Sequence, residues 1–282
     1  MNTTAYDELH YYENKYGVSH SIADLTPTIC SLHGLSAPAQ CGGTPVASVV
    51  DHSFHLTGKE GGIEKTLIFA ADAVGEIHRR LHPELLERVE KLAGFRIPSS
   101  SVMPSVTPVC YASIFTGSSP KVHGIQKYEK PVLETETLFD VFAKAGKNVA
   151  IVSINGCSID CIFRKRNIDY YSTRTDEKAF LLTQKLLEED QYDLIVCYYT
   201  SFDSFSHSFG HQSREVLDSL ETGVSYFEQL VLCTEQYWKK YNRAVVWCPD
   251  HGNHIIDETC NSHGEDIFED MVVNHFYRLR SK

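Results

Sequence analysis

The chain has 282 residues, of which 42% are hydrophobic and 22% are charged, and this composition excludes wholesale disorder. Its 26 basic and 37 acidic residues give a net charge of −11 at pH 7, which argues against a nucleic-acid polymer or an anionic membrane as partner. No apolar run approaches the roughly 18 residues that are needed to cross a bilayer.

Short β-branched segments alternate with helical patterns along the chain. The predicted strands span residues 66–71, 148–153, 193–199 and 243–248, and the predicted helices span residues 75–93, 137–145, 176–189 and 214–240. The strands are nearly continuous in apolar residues, which is typical of strands that are covered on both faces. This order predicts an α/β fold with a mainly parallel central sheet and helices on both faces.

The segments between these elements are less regular, and none has the composition of a linker. Residues 95–105 contain two prolines and four serines, which predicts a loop. Residues 155–175 are irregular and polar, and we expect them to form a small insertion over the edge of the sheet. We therefore predict a single domain over residues 1–282 with a minimal cap.

The nine cysteines are scattered and form no Cys-x-x-Cys pair. Because their number is odd and the polar start of the chain lacks the regions of a secretory signal, we expect reduced thiols in a cytoplasmic protein. Cys157 and Cys161 lie four residues apart. We interpret them as ordinary thiols in a loop, because no second pair is present to complete a metal site.

Polar side chains follow three of the predicted strands at the points where these strands end. The residues concerned are Asp72, Asp203, His207, Asp250, His251 and, slightly later in the chain, His263. In open parallel sheets ligands bind at the carboxyl ends of the strands. Carboxylates and imidazoles are good ligands for zinc and manganese. Each residue alone also has an ordinary interpretation, such as a helix cap for Asp72, but their shared edge favours a site for two metal ions.

The segment that begins at Thr107 carries a candidate nucleophile. Thr107-Pro108 predicts a helix with a threonine cap and proline at its first position, and Gly117 predicts the end of this helix. The threonine hydroxyl would then lie beside free N–H groups that favour anions such as phosphate. Such a hydroxyl is a weak nucleophile unless a metal or base deprotonates it, and a plain helix cap is the alternative interpretation.

These motifs together resemble the alkaline phosphatase superfamily, and within it the type I phosphodiesterase/nucleotide pyrophosphatase branch, which includes phosphonoacetate hydrolase. The resemblance rests, in chain order, on Asp72, on Thr107 with Thr116-Gly117 and Pro120-x-x-His123-Gly124, on Asp203-x-x-x-His207, on Asp250-His251-Gly252 and on His263. It implies that Thr107 is the nucleophile. It also implies two divalent metal ions, most often zinc and sometimes manganese. One ion would be held by Asp203, His207 and His263, and the other by Asp72, Asp250, His251 and the Thr107 oxygen.

The chain departs from the branch at two positions near the nucleophile. Cys110 stands where the branch has an asparagine, and Tyr128 stands where it has an asparagine that contacts phosphate. We predict that Lys127 or Tyr128 replaces this contact, which leaves the preference between diesters and monoesters open. His211 is a further candidate substrate contact, with a solvated loop histidine as the alternative.

A third departure concerns the order of segments. Residues 21–34 resemble a segment that superfamily enzymes usually carry near the C-terminus. This position predicts a circularly permuted order, with the helix packed on the same sheet. The alternative is an ordinary amphipathic helix.

The resemblance implies an enzyme that hydrolyses small phosphodiester or nucleotide pyrophosphate substrates through a phosphothreonine at Thr107. A phosphomonoesterase or a phosphonoacetate-type C–P hydrolase on the same site is the first alternative. A non-catalytic metal-binding interaction protein is the alternative from another class. Because residues 126–136 and 155–175 leave room for only short caps, we expect a small phosphorylated or phosphonate metabolite as substrate. The sequence indicates no oligomeric state.

Overall fold

The computed structural model describes residues 5–210 and 212–282 and has a seven-stranded sheet at its centre. The strands of this sheet are β1 (Lys65–Ala71), β2 (Phe95–Ser100), β3 (Val149–Ile154), β4 (Asp169–Thr173), β5 (Leu194–Tyr199), β6 (Arg243–Trp247) and β9 (Val272–Arg280). Their order across the sheet is β2-β9-β6-β1-β5-β3-β4. A separate hairpin pairs β7 (His254–Ile255) with β8 (Asn261–Ser262).

The middle of the sheet is parallel, as the sequence predicts. β1 pairs with β5 and β6, and β3 pairs with β4 and β5, all in the parallel sense. Every residue of β1, β5 and β6 is buried, so these strands are covered on both faces. This burial explains their continuous apolar sequences. The predicted α/β class and the four predicted strands are confirmed.

Two edge regions correct the sequence-based predictions. Residues 95–105, predicted as a loop, include β2, an edge strand of the sheet that pairs with the antiparallel strand β9. Pro98 is accommodated there because an edge strand needs ladder bonds on one side only. Residues 155–175, predicted as an insertion over the sheet edge, contain a short helix and the opposite edge strand β4. That segment extends the sheet and does not cap it.

Helices cover both faces of the sheet. In chain order they are α1 (Ala5–Tyr16), α2 (Leu25–Leu32), α3 (Ala47–Thr57), α4 (Glu76–Leu81), α5 (Pro83–Ala93), α6 (Thr107–Thr116), α7 (Pro120–His123), α8 (Leu138–Lys144), α9 (Ser158–Ile162), α10 (Asp176–Glu189), α11 (Ser201–Ser206), α12 (Arg214–Tyr237) and α13 (Phe268–Met271). The single helix predicted over residues 75–93 is two helices, because Pro83 cannot continue the helical hydrogen bonding. No helix within the described ranges is long and apolar enough to cross a membrane.

The two faces of β1 contribute to two separate apolar cores. Ile68 and Ala70 pack with residues of α2, α6, α8 and α9, whereas Leu67 and Phe69 pack with residues of α5, α10 and α12. Successive side chains of a strand point to opposite faces, so one apolar strand supplies both cores. All nine cysteines are free thiols in this structure.

The N-terminal segment lies on the face of the sheet that carries α6. A 3₁₀ turn (Ile22–Asp24) leads into α2, and the Thr26 hydroxyl donates a 2.7 Å hydrogen bond to the Ile114 carbonyl in α6. The predicted packing of this segment on the sheet is therefore observed. Its interpretation as a circular permutation stays a prediction.

Candidate active site

The first candidate metal centre consists of Asp72, Asp250 and His251, which we call the buried ligand group. Asp72 follows the end of β1, and Asp250 and His251 follow the end of the neighbouring strand β6. The Nε2 atom of His251 lies 3.6 Å from Asp72 Oδ1 and 3.4 Å from Asp250 Oδ2. All three side chains are essentially inaccessible to solvent. Two adjacent parallel strands thus bring together residues that lie far apart in the sequence.

The second candidate centre consists of Asp203, His207 and His263, which we call the rim ligand group. Asp203 lies in α11 and His207 follows four residues later, so the two side chains share one helical face. His263 follows β8. The Nε2 atoms of His207 and His263 lie 3.4 Å and 3.5 Å from the same atom, Asp203 Oδ1. The side chain of His207 is 44% exposed, which opens this group to solvent.

Backbone carbonyls fix the orientation of all three histidine rings. His251 Nδ1 lies 2.9 Å from the Gly252 carbonyl, His263 Nδ1 lies 2.9 Å from the Ser105 carbonyl, and His207 Nδ1 lies 3.2 Å from the Asn261 carbonyl. A carbonyl accepts a hydrogen bond only from a protonated nitrogen, so each Nδ1 carries the proton. Each Nε2 faces an aspartate oxygen and is the ring nitrogen left to bind a metal ion, as in a metal-ligating histidine.

The aspartates show the complementary pattern. Asp72 Oδ2 accepts hydrogen bonds from the Tyr198 and Thr200 hydroxyls, and Asp250 Oδ1 accepts one from the Ala73 amide. In contrast, Asp72 Oδ1, Asp250 Oδ2 and Asp203 Oδ1 are buried without a hydrogen-bond partner among the described residues. These are the three oxygens that the Nε2 atoms face.

Buried, unpaired carboxylate oxygens are costly unless a cation neutralises them. Each ligand group brings its donor atoms within 4.8 Å of one another, which is close enough for one ion per group. Oxygen and imidazole nitrogen donors suit zinc and other divalent transition metals. The donor set therefore fits two divalent ions, one in each group.

Thr107 lies against the buried ligand group. Its Oγ1 is 3.4 Å from His251 Nε2, and the residue is 4% exposed. The helix start differs from the prediction, because the N-cap is Val106, in an extended conformation, and Thr107 is the first helical residue. Pro108 has no N–H, and the amides of Val109 and Cys110 both donate to the Val106 carbonyl. The first turn of α6 therefore lacks the predicted row of free N–H groups. Among the N–H groups of this turn, only the Thr107 amide does not bond to the Val106 carbonyl.

Two backbone features allow the ligands to converge. Ala73, next to Asp72, has a φ of 62°, a left-handed conformation that is unfavourable for a residue with a side chain. This conformation lets its amide donate to Asp250. A Cβ at Gly252 would lie 2.0 Å from the Glu269 carbonyl oxygen, so only glycine permits this close approach beside His251. Strain of this kind is concentrated at functional sites.

The pKa shifts reflect burial and the mutual repulsion of the carboxylates. Burial raises the pKa of Asp250 to about 7, and burial with the charges of Asp250 and Asp203 raises the pKa of Asp72 well above its ordinary value. Burial lowers the pKa of His263 to about 4 and also lowers the pKa of His251. Without cations, the buried ligand group therefore holds protons in place of its missing positive charge.

This arrangement predicts how the metal-free protein responds to pH. A carboxyl with a raised folded-state pKa stabilises the fold at low pH, and that contribution is lost as the pH rises through about 7. Both proteins are kept metal-free with a chelator. Between pH 5 and pH 8, the unfolding free energy of wild type should fall by about 2–3 kcal/mol more than that of Asp250→Asn. Urea unfolding of both proteins at several pH values measures this difference. Parallel pH profiles for the two proteins would contradict it.

The structure does not bring the other predicted site residues into these groups. Lys127 pairs with Glu129, and the exposed ring of Tyr128 lies near the ammonium group of Lys130. Within the described part of the chain, no hydrogen bond or ion pair joins Lys127 or Tyr128 to either ligand group. His211 lies outside the described residues. The roles of these three residues as substrate contacts stay predictions.

Sequence reasoning missed the residues that support the ligands. Tyr198 lies in the apolar run of β5 and reads as an ordinary core residue, yet its hydroxyl donates to Asp72. Thr200 follows the same strand and donates a 3.3 Å hydrogen bond to the same oxygen. The only available signal was their position at the carboxyl end of a strand next to β1.

Several solved structures have the same fold. Phosphonoacetate hydrolase from Sinorhizobium meliloti 1021, solved with phosphonoformate, is 18% identical over 70% of this chain and 59% of that chain, with a TM-score of 0.51. Inactive murine ectonucleotide pyrophosphatase/phosphodiesterase 5, solved with AMP, is 16% identical over 67% of this chain and 57% of that chain, with a TM-score of 0.54. The C-terminal periplasmic domain of EcEptC from Escherichia coli, solved with Zn, is 13% identical over 78% of this chain and 74% of that chain, with a TM-score of 0.54.

At these identities the comparison establishes the fold alone. The chain spans about three fifths of the length of the first two proteins. No curated protein sequence matches it significantly. The family described as type I phosphodiesterase/nucleotide pyrophosphatase matches residues 69–275, which is most of the chain and includes Asp72, Thr107 and all the other ligand residues. The chain therefore belongs to the type I phosphodiesterase/nucleotide pyrophosphatase family.

Proposed function

We propose that this protein is a metal-dependent hydrolase of small phosphodiester or nucleotide pyrophosphate substrates, with Thr107 as its nucleophile. The observation that carries the proposal is the position of the Thr107 hydroxyl, 3.4 Å from His251 Nε2 in the buried ligand group, which together with the rim ligand group could hold metal ions. Membership of a phosphodiesterase family supports it. The complete ligand set argues against a non-catalytic binding protein.

The proposed metal ligands are the six residues of the two groups, with Thr107 added to the buried group. When bound, two divalent ions, zinc or manganese, would offset the charge of a phosphoryl group and favour the alkoxide form of the Thr107 hydroxyl. This local positive charge would also allow an anionic substrate to approach a chain with a net charge of −11.

The residues of the chain itself would have the following roles in the reaction. Helix α6 holds Thr107 in place, and the Thr107 oxygen forms a bond to phosphorus while the bond to the leaving oxygen breaks. The Thr107 amide can donate to an oxygen of the transferred group. Water subsequently attacks the phosphothreonine, which releases the second product and restores the hydroxyl.

The rival reactions use the same residues. The structural relatives bind phosphonoformate in one case and AMP in another, so a phosphonate or monoester substrate is the second candidate. One observation favours it: Cys110 stands where the branch has an asparagine, and its side chain is completely buried, with its Sγ 3.2 Å from the Ser101 hydroxyl, so the amide of that asparagine has no replacement at this position. The proposal also includes three candidate substrate contacts, namely Lys127, Tyr128 and His211. It further includes a cytoplasmic location of the protein.

Metal analysis coupled to a substrate comparison tests the proposal. We expect about two zinc or manganese ions per chain and faster hydrolysis of bis(4-nitrophenyl) phosphate than of 4-nitrophenyl phosphate. Activity should disappear with a chelator and return when metal is added. Metal binding with hydrolysis of the monoester or a phosphonate only would favour the second candidate. Absence of bound metal under every loading condition would contradict both.

A further inference from the structure

Helix α11 holds two of the three rim ligands, although its own sequence favours a helix only weakly. It spans the six residues Ser201–Ser206, which are three serines, two phenylalanines and Asp203, and His207 follows as its C-cap. These residue types have low helix propensity, and isolated helices shorter than about 12 residues are unstable in water. The orientation of Asp203 and His207 therefore depends on contacts between α11 and the rest of the chain.

The residue that would ordinarily cap α11 has another partner. Thr200 is the N-cap residue of this helix, and a threonine there usually accepts a hydrogen bond from one of the first helical amides. The Thr200 side chain makes no such bond. Its hydroxyl instead donates a 3.3 Å hydrogen bond to Asp72 Oδ2 in the buried ligand group. The first amides of α11 therefore need an acceptor from elsewhere in the chain.

Asp176, the first residue of α10, supplies this acceptor. Its Oδ2 accepts hydrogen bonds from the Ser201 amide at 2.7 Å, from the Thr200 amide at 3.2 Å and from the Ser201 hydroxyl at 2.5 Å. Asp176 is only 6% exposed, so water competes little for these bonds. One buried oxygen thus fixes both the residue that contacts Asp72 and the start of the helix that contains Asp203.

Short paths connect Asp176 to both ligand groups. Toward the buried group, the path consists of the hydrogen bond from the Thr200 amide to Asp176 and the hydrogen bond from the Thr200 hydroxyl to Asp72. Toward the rim group, it follows α11, in which the Ser204 amide donates to the Thr200 carbonyl and the His207 amide donates to the Asp203 carbonyl. A displacement of the turn at Thr200 would therefore move ligands of both groups.

The second oxygen of Asp176 has no role in these contacts. Oδ1 is buried and has no hydrogen-bond partner among the described residues, and all three donors lie on Oδ2. An asparagine at this position could therefore keep the acceptor, with its oxygen in the place of Oδ2 and its NH₂ group in the place of Oδ1. Replacement by asparagine and replacement by alanine thus separate the charge of Asp176 from its hydrogen bonds.

We propose that Asp176 is a positioning residue of both metal centres. It anchors the turn at Thr200 and Ser201, from which the Thr200 hydroxyl reaches Asp72 and α11 presents Asp203 and His207. The proposal rests on the proposed metal-dependent function. Asp176 acts through these neighbours and is not itself a ligand. Hydrogen-bond partners behind metal ligands typically change metal affinity by about 10- to 100-fold.

Zinc titration in competition with a chromophoric chelator tests the proposal. In Asp176→Ala, the dissociation constants of both zinc ions should rise about 10-fold or more relative to wild type. Asp176→Asn keeps the acceptor, so both constants should stay within about 3-fold of wild type. Equal defects in the two variants would contradict an action through the hydrogen bonds and overturn the proposal.

Thr200→Val examines one of the two paths alone. It keeps the Thr200 amide that donates to Asp176 and removes only the hydroxyl that donates to Asp72. We expect weaker binding of one zinc ion, by about 10-fold, and a change of less than about 2-fold for the other ion. If Asp176→Ala weakens only one ion as well, Asp176 does not position both centres.

Asp140→Ala is the control for a general loss of stability. Asp140 Oδ2 likewise accepts hydrogen bonds from a backbone amide and a hydroxyl at the start of a helix, both from Thr137, and its carboxylate pairs with Arg166. Its replacement should lower the thermal unfolding temperature at least as much as Asp176→Ala does. Both zinc affinities should stay unchanged. A zinc defect in Asp140→Ala equal to that in Asp176→Ala would overturn the proposal.

Hydrogen exchange in the metal-free protein provides a measurement that needs neither zinc nor turnover. The amides of residues 203–207 should exchange about 5- to 10-fold faster in Asp176→Ala than in wild type, and at the wild-type rate in Asp140→Ala. Two zinc ions bound with unchanged affinity by Asp176→Ala, or unchanged exchange, would overturn the proposal and leave the metal-dependent function intact. Absence of zinc binding by wild type would contradict the proposed function, and the positioning role with it.

Discussion

Replacement of Thr107 by alanine should lower the hydrolysis rate of bis(4-nitrophenyl) phosphate by about 10³-fold or more, while the fold and the metal content stay unchanged. The Thr107 hydroxyl is the only group that Thr107→Ala removes from the ligand groups, and it lies 3.4 Å from His251 Nε2. Loss of a covalent nucleophile removes the route through an enzyme intermediate, which costs several orders of magnitude in rate. Steady-state kinetics with metal analysis of the same sample measures the effect.

The matched control is Thr107→Ser, which keeps the hydroxyl and removes only a methyl group. We expect it to retain activity within about 100-fold of wild type and to form a covalent adduct in rapid-quench mass spectrometry, as wild type should. Thr107→Ala should form no adduct. If Thr107→Ala hydrolyses the diester at a rate close to that of wild type, Thr107 is not the nucleophile.

Replacement of Asp203 by asparagine should abolish diester hydrolysis as well, for a different reason. The Nε2 atoms of His207 and His263 both face Asp203 Oδ1, so this oxygen is central to the rim ligand group. An amide has the shape of the carboxylate but not its negative charge, and a cation there would lose much of its binding energy. We expect a loss of one of two bound metal ions and a rate decrease of about 10³-fold or more.

Asp218→Asn is the control for this prediction. Asp218 lies on the exposed surface of α12, where it pairs with Arg214, so its replacement should change neither metal content nor rate. The two aspartate variants differ in where the charge is lost, whereas the change in net charge is identical. Asp203→Asn with two tightly bound metal ions would contradict the assignment of the rim ligand group.

The combination of these variants separates the two roles. Thr107→Ala should keep two metal ions and lose the covalent adduct, whereas Asp203→Asn should lose one metal ion. A structural defect would instead affect both measurements and the stability of the fold. Thermal unfolding in the presence of metal should therefore accompany both experiments.

The central part of the fold could be predicted from the sequence because its signal is local. Each of β1, β3, β5 and β6 is an apolar run bounded by polar residues, and burial on both faces requires that pattern. The residue that follows β1 and the residues that follow β6 can be identified from the sequence in the same way, as the polar residues that end each apolar run. Since neighbouring parallel strands end at the same edge, Asp72 and Asp250 could be placed together without coordinates.

The outer strands could not be predicted, because their sequences do not depend on burial alone. β2 contains Pro98 and three polar or charged residues. It forms a strand because β9 lies beside it. β4 has no fully buried residue and exists only through its pairing with β3. Such strands are determined by partners that lie far away in the chain, which local patterns do not show.

The sequence by itself determined the types of chemically active residues and the edge of the sheet to which they belong, because strand ends and ligand types are local properties. Only the tertiary structure decided how those residues are oriented. The Ser105 carbonyl that orients His263 and the Tyr198 hydroxyl that holds Asp72 lie 158 and 126 residues from their partners. The hydrogen bond between His78 of α4 and Asn253 likewise joins residues that lie 175 positions apart. Hydrogen bonds and cavities between such distant segments arise only when the chain is folded.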